Sequence, residues 1–241
     1  MRLMHVFAAK HGIGFGVQEA RQRESVRELF EHAKRVGVKT MGVEMLLHPS
    51  GQHDLRNPIT RYWLEFHRQA EENGIQMVEL KTPGMIALTF VEDILEQAHE
   101  HGVRNRTQWN SFRKQLLDKA VPQNDEGARA LKSIHAVLDE IERINPEMKP
   151  EFTEKLCMAL AVRQTYSLHA EGERENADGI TVGTGHALHL KTLEGIEPTF
   201  FPSKLPQEEL RQLARRVSRD VEAHKQFSGV TKSLLEIAEK R

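Results

Sequence analysis

The first third of the chain repeats one pattern twice: an apolar run, an amphipathic stretch at helical spacing, and another apolar run. The apolar runs are residues 2–9, 38–46 and 75–80, and the amphipathic stretches between them are residues 18–36 and 57–74. A strand–helix–strand crossover within one sheet is almost always right-handed, and its two strands are parallel. The pattern therefore predicts an α/β fold with a mostly parallel sheet core built from βαβ units and flanked by helices.

Residues that start and stop helices support these boundaries. Gly37 stands where the first helix must end, and Asn73-Gly74 stands at the end of the second. Asn57-Pro58 supplies an N-cap followed by proline in the first turn of the second helix. Both crossovers are therefore predicted to be helical.

The remainder of the chain predicts one more strand and several helices. Residues 84–148 are helical and charged in pattern and predict a helical insertion or lid, and residues 151–170 predict a further helix. The last clear strand is expected at 180–182. A long amphipathic helix from 205 onward is expected to meet Gly229 and restart over 230–240.

At 241 residues the chain is long enough for a single α/β domain over 1–241, with 84–148 as an insertion and 205–241 as C-terminal helices. Packing against the domain is the simplest role of the C-terminal helices, and homodimer formation is the second. The sequence shows no internal repeat that would favour an elongated repeat architecture.

Bulk composition excludes several classes of protein. Lys and Arg total 34 against 35 for Asp and Glu, so no global positive charge attracts nucleic acid. The one cysteine, Cys157, excludes an intrachain disulfide and a zinc site made of several thiolates. No apolar run approaches the length of a membrane span, and we expect no membrane association and a cytoplasmic location.

Four ionisable residues lie at or just past the carboxyl ends of predicted strands: His11, Glu44, Glu79 and His186. Because parallel strands end at the same edge of a sheet, these side chains are expected to converge there. Open α/β sheets bind their ligands at that edge. Glu44 also interrupts an apolar strand, where a charge is rare without a reason. The sequence therefore predicts a polar or metal-assisted site.

Short motifs at the two ends of the chain resemble those of the TraB/Tiki-type superfamily, whose distant relatives are the erythromycin-esterase-like and ChaN-like proteins. The motifs are Ala8-Ala9-Lys10-His11, Gly42-Val43-Glu44-Met45, Arg163 on a later helix, and Gly183-Thr184-Gly185-His186. The resemblance covers roughly residues 1–80 and 150–195. Ala8 replaces the glycine of the first G-x-x-H motif, and Glu79-Leu80 replaces an acid–arginine pair.

The residues and the resemblance together predict a metal-dependent hydrolase, peptidase- or esterase-like, for a peptide or small-molecule substrate. Two imidazoles and one or two carboxylates suit Zn²⁺, Mn²⁺, Co²⁺ or Fe²⁺, with positions left for water and substrate. His11, Glu44 and His186 are the predicted metal ligands. Glu44 and Glu79 are predicted catalytic carboxylates, with Glu79 as a further ligand or general base. Arg163 is predicted to neutralise a carboxylate or to stabilise an oxyanion.

Other interpretations of the same residues stay open. In one alternative there is no metal, and Glu44 and a histidine form an acid–base pair. In another, Arg163 is not catalytic and is a structural ion-pair partner of Glu44. A nucleotide- or anion-binding protein is suggested by the glycines over 12–16, which follow the first strand, although Val17 stands where the dinucleotide fingerprint needs its third glycine. A third alternative is a non-catalytic interaction protein that retains the fold.

Overall fold

The computed structural model of the chain describes residues 4–9, 19–44, 58–117, 125–193, 195–201 and 207–240. These residues contain five strands and eight helices. In chain order they are β1 (His5–Ala9), α1 (Glu19–Arg35), β2 (Thr40–Val43), α2 (Pro58–Glu72), β3 (Gln76–Glu79), α3 (Pro83–Glu100), α4 (Arg106–Leu117), α5 (Asp125–Ile144), α6 (Pro150–Arg174), β4 (Gly179–Gly183), α7 (Thr184–Leu190), β5 (Thr199–Phe201) and α8 (Gln207–Glu239).

The five strands form one sheet in the order β3-β2-β4-β1-β5, and every neighbouring pair is parallel. The predicted α/β fold with a parallel sheet is confirmed, and α1 and α2 are the predicted crossovers. Gly37 ends α1 with a φ of +84°, a conformation that glycine adopts without strain. The boundaries therefore follow from the local sequence.

The chain leaves two neighbouring central strands in opposite directions. β1 and β4 pair over their full length, from His5 opposite Gly179 to Ala9 opposite Gly183. From β1 the chain crosses through α1 to β2 on one side of this pair, and from β4 it passes through α7 to β5 on the other side. The carboxyl ends of β1 and β4 are therefore the topological switch point of the sheet.

The chain divides into two compact units, Met1–Lys81 with Leu168–Val217, and Thr82–Ser167 with Ser218–Arg241. The first unit contains the sheet. Helices α1 and α2 cover one face of the sheet. Their buried side chains, among them Phe30 and Phe66, form one apolar core with strand residues that include Phe7, Met41 and Val43. The second unit is helical, and the insertion predicted over 84–148 lies within it.

Asp178 joins three strands at the amino edge of the sheet. Its Oδ2 accepts hydrogen bonds from the backbone N–H groups of Lys39 (2.8 Å) and Thr40 (2.9 Å) before β2. Its own N–H donates to the Thr40 carbonyl, and its carbonyl accepts from the His5 N–H of β1. With 8% of its surface exposed, Asp178 is a buried anchor that sets the register of β1, β4 and β2.

The second unit contains a charged cluster centred on Glu142 of α5. Its carboxylate accepts a hydrogen bond from Trp109 Nε1 (2.9 Å) and ion-pairs with Arg106 and Arg113 of α4. Trp109 is only 1% exposed. Trp109 of the basic segment 103–109 is thus directed inward, and Arg106 of the same segment pairs with Glu142.

Two elements differ from the sequence expectation. The strand over 180–182 is not the last, because β5 (Thr199–Phe201) adds a three-residue edge strand beside β1. Helix α8 is continuous through Gly229, so the expected break and restart are wrong. A single glycine costs a helix only about 1 kcal/mol, and buried side chains on both sides of it, Ala223 and Leu234, hold the helix together.

A search of the helices in the described part of the chain finds none with the length and apolar character needed to cross a membrane.

Candidate functional site

The carboxyl edge of the sheet brings together residues that are far apart in the sequence. Glu44 directly follows β2, and Glu79 is the last residue of the neighbouring strand β3. Val43 pairs with Glu79, and the Leu80 N–H extends this ladder by donating to the Val43 carbonyl at 2.9 Å. β4, the other neighbour of β2, leads into α7 and His186. Glu44 thus lies at this edge between Glu79 and the start of α7.

Glu44 forms an ion pair with Lys81, at 3.1 Å between Oε1 and Nζ. Only 18% of the Glu44 side chain and 13% of the Lys81 side chain are exposed. Burying either charge alone would be costly, so each compensates the other at this depth. Lys81 was not among the site residues predicted from the sequence. It lies two residues past β3, and this position points to Glu44 only when β2 and β3 are known to be neighbours.

Close packing around Gly42 of β2 adjoins this ion pair. A Cβ atom built on Gly42 would lie 2.6 Å from Leu80 Cδ1 and 3.0 Å from Ile180 Cγ2. Leu80 and Ile180 are buried. Gly42 therefore has a steric role, because its missing side chain lets Leu80 pack over β2 and places Lys81 beside Glu44.

Glu79 occupies a more open position than Glu44. It lies on β3, the edge strand of the sheet, and its side chain is exposed. Glu79 therefore lies at the same carboxyl edge of the sheet as Glu44, but at its solvent-exposed rim.

Helix α7 begins directly at the switch point, with Gly183 as its N-cap. The Oγ1 atom of Thr184 is buried and has no hydrogen-bond partner in the described part of the chain. Buried hydroxyl groups are nearly always hydrogen-bonded, so this atom requires a partner that the described residues around it do not supply. His186 follows two residues later and is half-buried.

His189 lies one helical turn beyond His186, and the two imidazole rings meet edge to face, with their centroids 6.1 Å apart. His189 is only 4% exposed. Helix α7 thus places His189 in ring contact with His186.

Arg163 belongs to the second unit, on α6. Its Nε donates to Thr231 Oγ1 (3.3 Å) and its Nη2 donates to the Ser228 carbonyl (3.0 Å), both on α8. Burial lowers the pKa of the Arg163 guanidinium. Both of these partners on α8 are neutral oxygens.

His11, a predicted metal ligand, and the glycines over 12–16 lie outside the described residues. Within the described part of the chain, no group of three or more His, Cys, Asp or Glu side chains is arranged to hold a metal ion. Glu44 and His186 are the two predicted ligands that the structure describes.

The described residues form a parallel α/β sheet that has its switch point at the carboxyl ends of β1 and β4 and a partly buried ion pair, Glu44–Lys81, at the carboxyl ends of β2 and β3. Comparison with protein-family models finds no match. Comparisons with curated proteins and with solved structures likewise find no match. The resemblance to the TraB/Tiki-type superfamily therefore stays a prediction from short motifs.

Proposed function

We propose that the carboxyl edge of the sheet is the active site of a hydrolase that acts on a small-molecule or peptide substrate. One observation carries the proposal: the buried Thr184 hydroxyl, which has no hydrogen-bond partner in the described part of the chain, lies at the switch point of a parallel sheet. Ligands of open α/β sheets bind in the crevice at that point. A bound substrate or an ordered water would supply the missing partner.

The residues around this point have the chemistry for hydrolysis. Lys81 stabilises the ionised form of the Glu44 carboxylate, which is the form that accepts a proton from an attacking water. His186, half-buried at the start of α7, carries an imidazole, the side chain that most often acts as a general acid or base. Glu79 is a second, exposed carboxylate at the rim of the same edge.

We further propose that a divalent metal, Mn²⁺, Co²⁺, Zn²⁺ or Fe²⁺, is held by His11, Glu44 and His186. A metal bound there would supply a water that ionises near neutral pH. The described residues provide the Glu44 carboxylate, directly after β2, and the His186 imidazole, on the helix that follows the neighbouring strand β4; His11 is needed to complete the set.

The test is the metal content of the purified protein after incubation with each metal, measured on the wild type, His186→Ala and Glu44→Gln. We expect stoichiometric uptake by the wild type and its loss in both variants. His99→Ala is the matched control, because His99 is an exposed imidazole of α3 in the second unit, and its removal should leave uptake unchanged. Equal uptake by all four proteins, or by none, would refute the metal site.

Activity is measured on the same proteins with generic ester and peptide substrates. If the wild type hydrolyses such a substrate without metal and loses activity in Glu44→Gln, the acid–base version of the site is supported and the metal version is not.

The same switch point also favours a second candidate function, binding of a nucleotide or another phosphate-bearing anion. Nucleotides bind at this position in doubly wound sheets, and Gly12, Gly14 and Gly16 follow β1 in the sequence. Saturable thermal stabilisation by a nucleotide, lost in Gly14→Val, would support this function. No stabilisation at millimolar nucleotide would contradict it.

A further inference from the structure

An aromatic cluster that contains a histidine joins helix α1 to the edge strand β5. The ring of His32 contacts Phe201 of β5, with 5.6 Å between the ring centroids, and meets Phe7 of β1 edge to face at 6.1 Å. Phe7 and Phe201 also contact each other, at 6.3 Å. His32 therefore packs against both strands on this side of the sheet.

Strand β5 depends on this cluster for its place in the sheet. It is three residues long, lies at the end of the sheet and pairs with β1. Of its three residues only Phe201 is buried, with 5% of its surface exposed. Short segments with few buried apolar contacts open at a low free energy. The contacts of Phe201 with Phe7 and His32 are therefore a main source of the local stability of β5.

The surroundings of His32 disfavour its charged form. Burial of the ring lowers the pKa of His32 below its ordinary 6.5, and the positive charges of Arg35 on α1 and His5 on β1 lower it further. Glu28, one turn earlier on α1, carries a negative charge but does not offset them. None of the residues of β5 has an ionisable side chain. The folded protein therefore favours a neutral ring at this position.

We propose that His32 is a pH-sensitive clasp, which holds β5 on the sheet when its ring is neutral and releases it when the ring is protonated. A protonated imidazole has to reach water, and Phe201 loses a ring contact when His32 turns outward. The segment that ends in β5 begins with α7 at the switch point, so release of β5 frees one end of that segment. The inference does not rest on the proposed function.

The direction of the pH effect follows from proton linkage. The unfolded segment binds a proton at His32 with the ordinary pKa of 6.5, whereas the folded protein binds it only at a lower pH. The clasp is therefore in place above pH 6.5, and its contribution is lost as the pH falls from 6.5 through the lower folded pKa. Below the folded pKa the ring is protonated in both states, and no further loss follows.

The test follows the ring signals of His32 and the exchange protection of the β5 amides by NMR, between about pH 5 and pH 7.5. We expect His32 to titrate below 6.5. Over the same range the protection factors of the β5 amides should fall, by at most about tenfold for each pH unit. The amides of β4, an interior strand of the sheet, should keep their protection.

Matched variants assign the effect to one ring. His32→Phe keeps an aromatic ring against Phe201 and cannot be protonated, so the protection of β5 should become independent of pH. His5→Gln removes one positive neighbour and should weaken the pH dependence without abolishing it. His99→Gln is the control, because His99 is an exposed histidine of α3 in the second unit, and it should behave like the wild type. His32→Leu is measured in the same way if His32→Phe does not fold.

Three results would overturn the inference. A folded-state pKa of His32 at or above 6.5 would mean that the charged ring is accommodated, as its place in the last turn of α1 favours through the helix dipole. An equal pH dependence in the wild type and in His32→Phe would assign the effect to other groups. Unchanged protection of β5 while His32 titrates would show that the strand is held without the clasp.

Discussion

Truncation of Asp178 to alanine should destabilise the first unit by breaking its anchor at the amino edge of the sheet. The substitution removes two hydrogen bonds that Asp178 Oδ2 accepts from the backbone N–H groups of Lys39 (2.8 Å) and Thr40 (2.9 Å). A hydrogen bond to a charged group contributes about 1.5–3 kcal/mol. Lys39 is exposed, so its N–H can bond to water after the truncation. We therefore expect a loss of about 2–4 kcal/mol, less than the sum of two full bonds.

The free energy of unfolding is measured by urea titration with far-UV circular dichroism, and amide hydrogen exchange is measured at Lys39 and Thr40. Asp178→Asn keeps an acceptor oxygen of the same shape and should lose no more than about half as much. Asp139→Ala is the control, because that side chain is 67% exposed and its ion pair with Arg113 should contribute at most about 1 kcal/mol. A loss below about 1 kcal/mol in Asp178→Ala, or equal losses in the alanine and asparagine variants, would refute the reasoning.

Gly42→Ala should destabilise by about 1–3 kcal/mol in urea unfolding, because its Cβ would lie 2.6 Å from Leu80 Cδ1. Gly229→Ala has open space around the new Cβ and should raise the free energy of unfolding by about 0.5–1 kcal/mol. A more stable Gly42→Ala variant together with a less stable Gly229→Ala variant would contradict both predictions. Burial raises the pKa of Glu142, but the Trp109 hydrogen bond and the two arginines outweigh it and hold the pKa below its ordinary 4.5. The stabilisation is therefore present above that value and lost as the pH falls through the lower folded pKa, so acid unfolding curves should be steeper for the wild type than for Glu142→Gln.

Local signals in the sequence predicted the parts of the fold that depend on local chemistry. Gly37 lies just past the end of α1, Pro58 is the first residue of α2, and the three apolar runs contain β1, β2 and β3. β5 was not predicted, because three residues between Pro198 and Pro202 are too few to show a period. Gly229 was given too much weight, because a helix held by tertiary packing tolerates an exposed glycine.

The candidate site was predicted only in outline for a related reason. Parallel strands place Glu44, Glu79 and the start of α7 at one edge whatever the strand order. The Glu44–Lys81 pair depends on β2 lying beside β3, and the switch point depends on β4 lying between β2 and β1. Strand order follows from the packing of whole elements and has no local sequence signal. Lys81 therefore could not be identified from the sequence as the partner of Glu44.

The most direct test of the proposed site is paramagnetic broadening by Mn²⁺ of the backbone amide signals in a two-dimensional NMR spectrum. We predict that substoichiometric Mn²⁺ broadens first the amides at the carboxyl edge, at Glu44, Lys81 and Thr184 to His186. The amides of Lys39 and Asp178 at the amino edge should stay sharp. Broadening centred at the amino edge or in the second unit, or no selective broadening, would contradict the placement of the site.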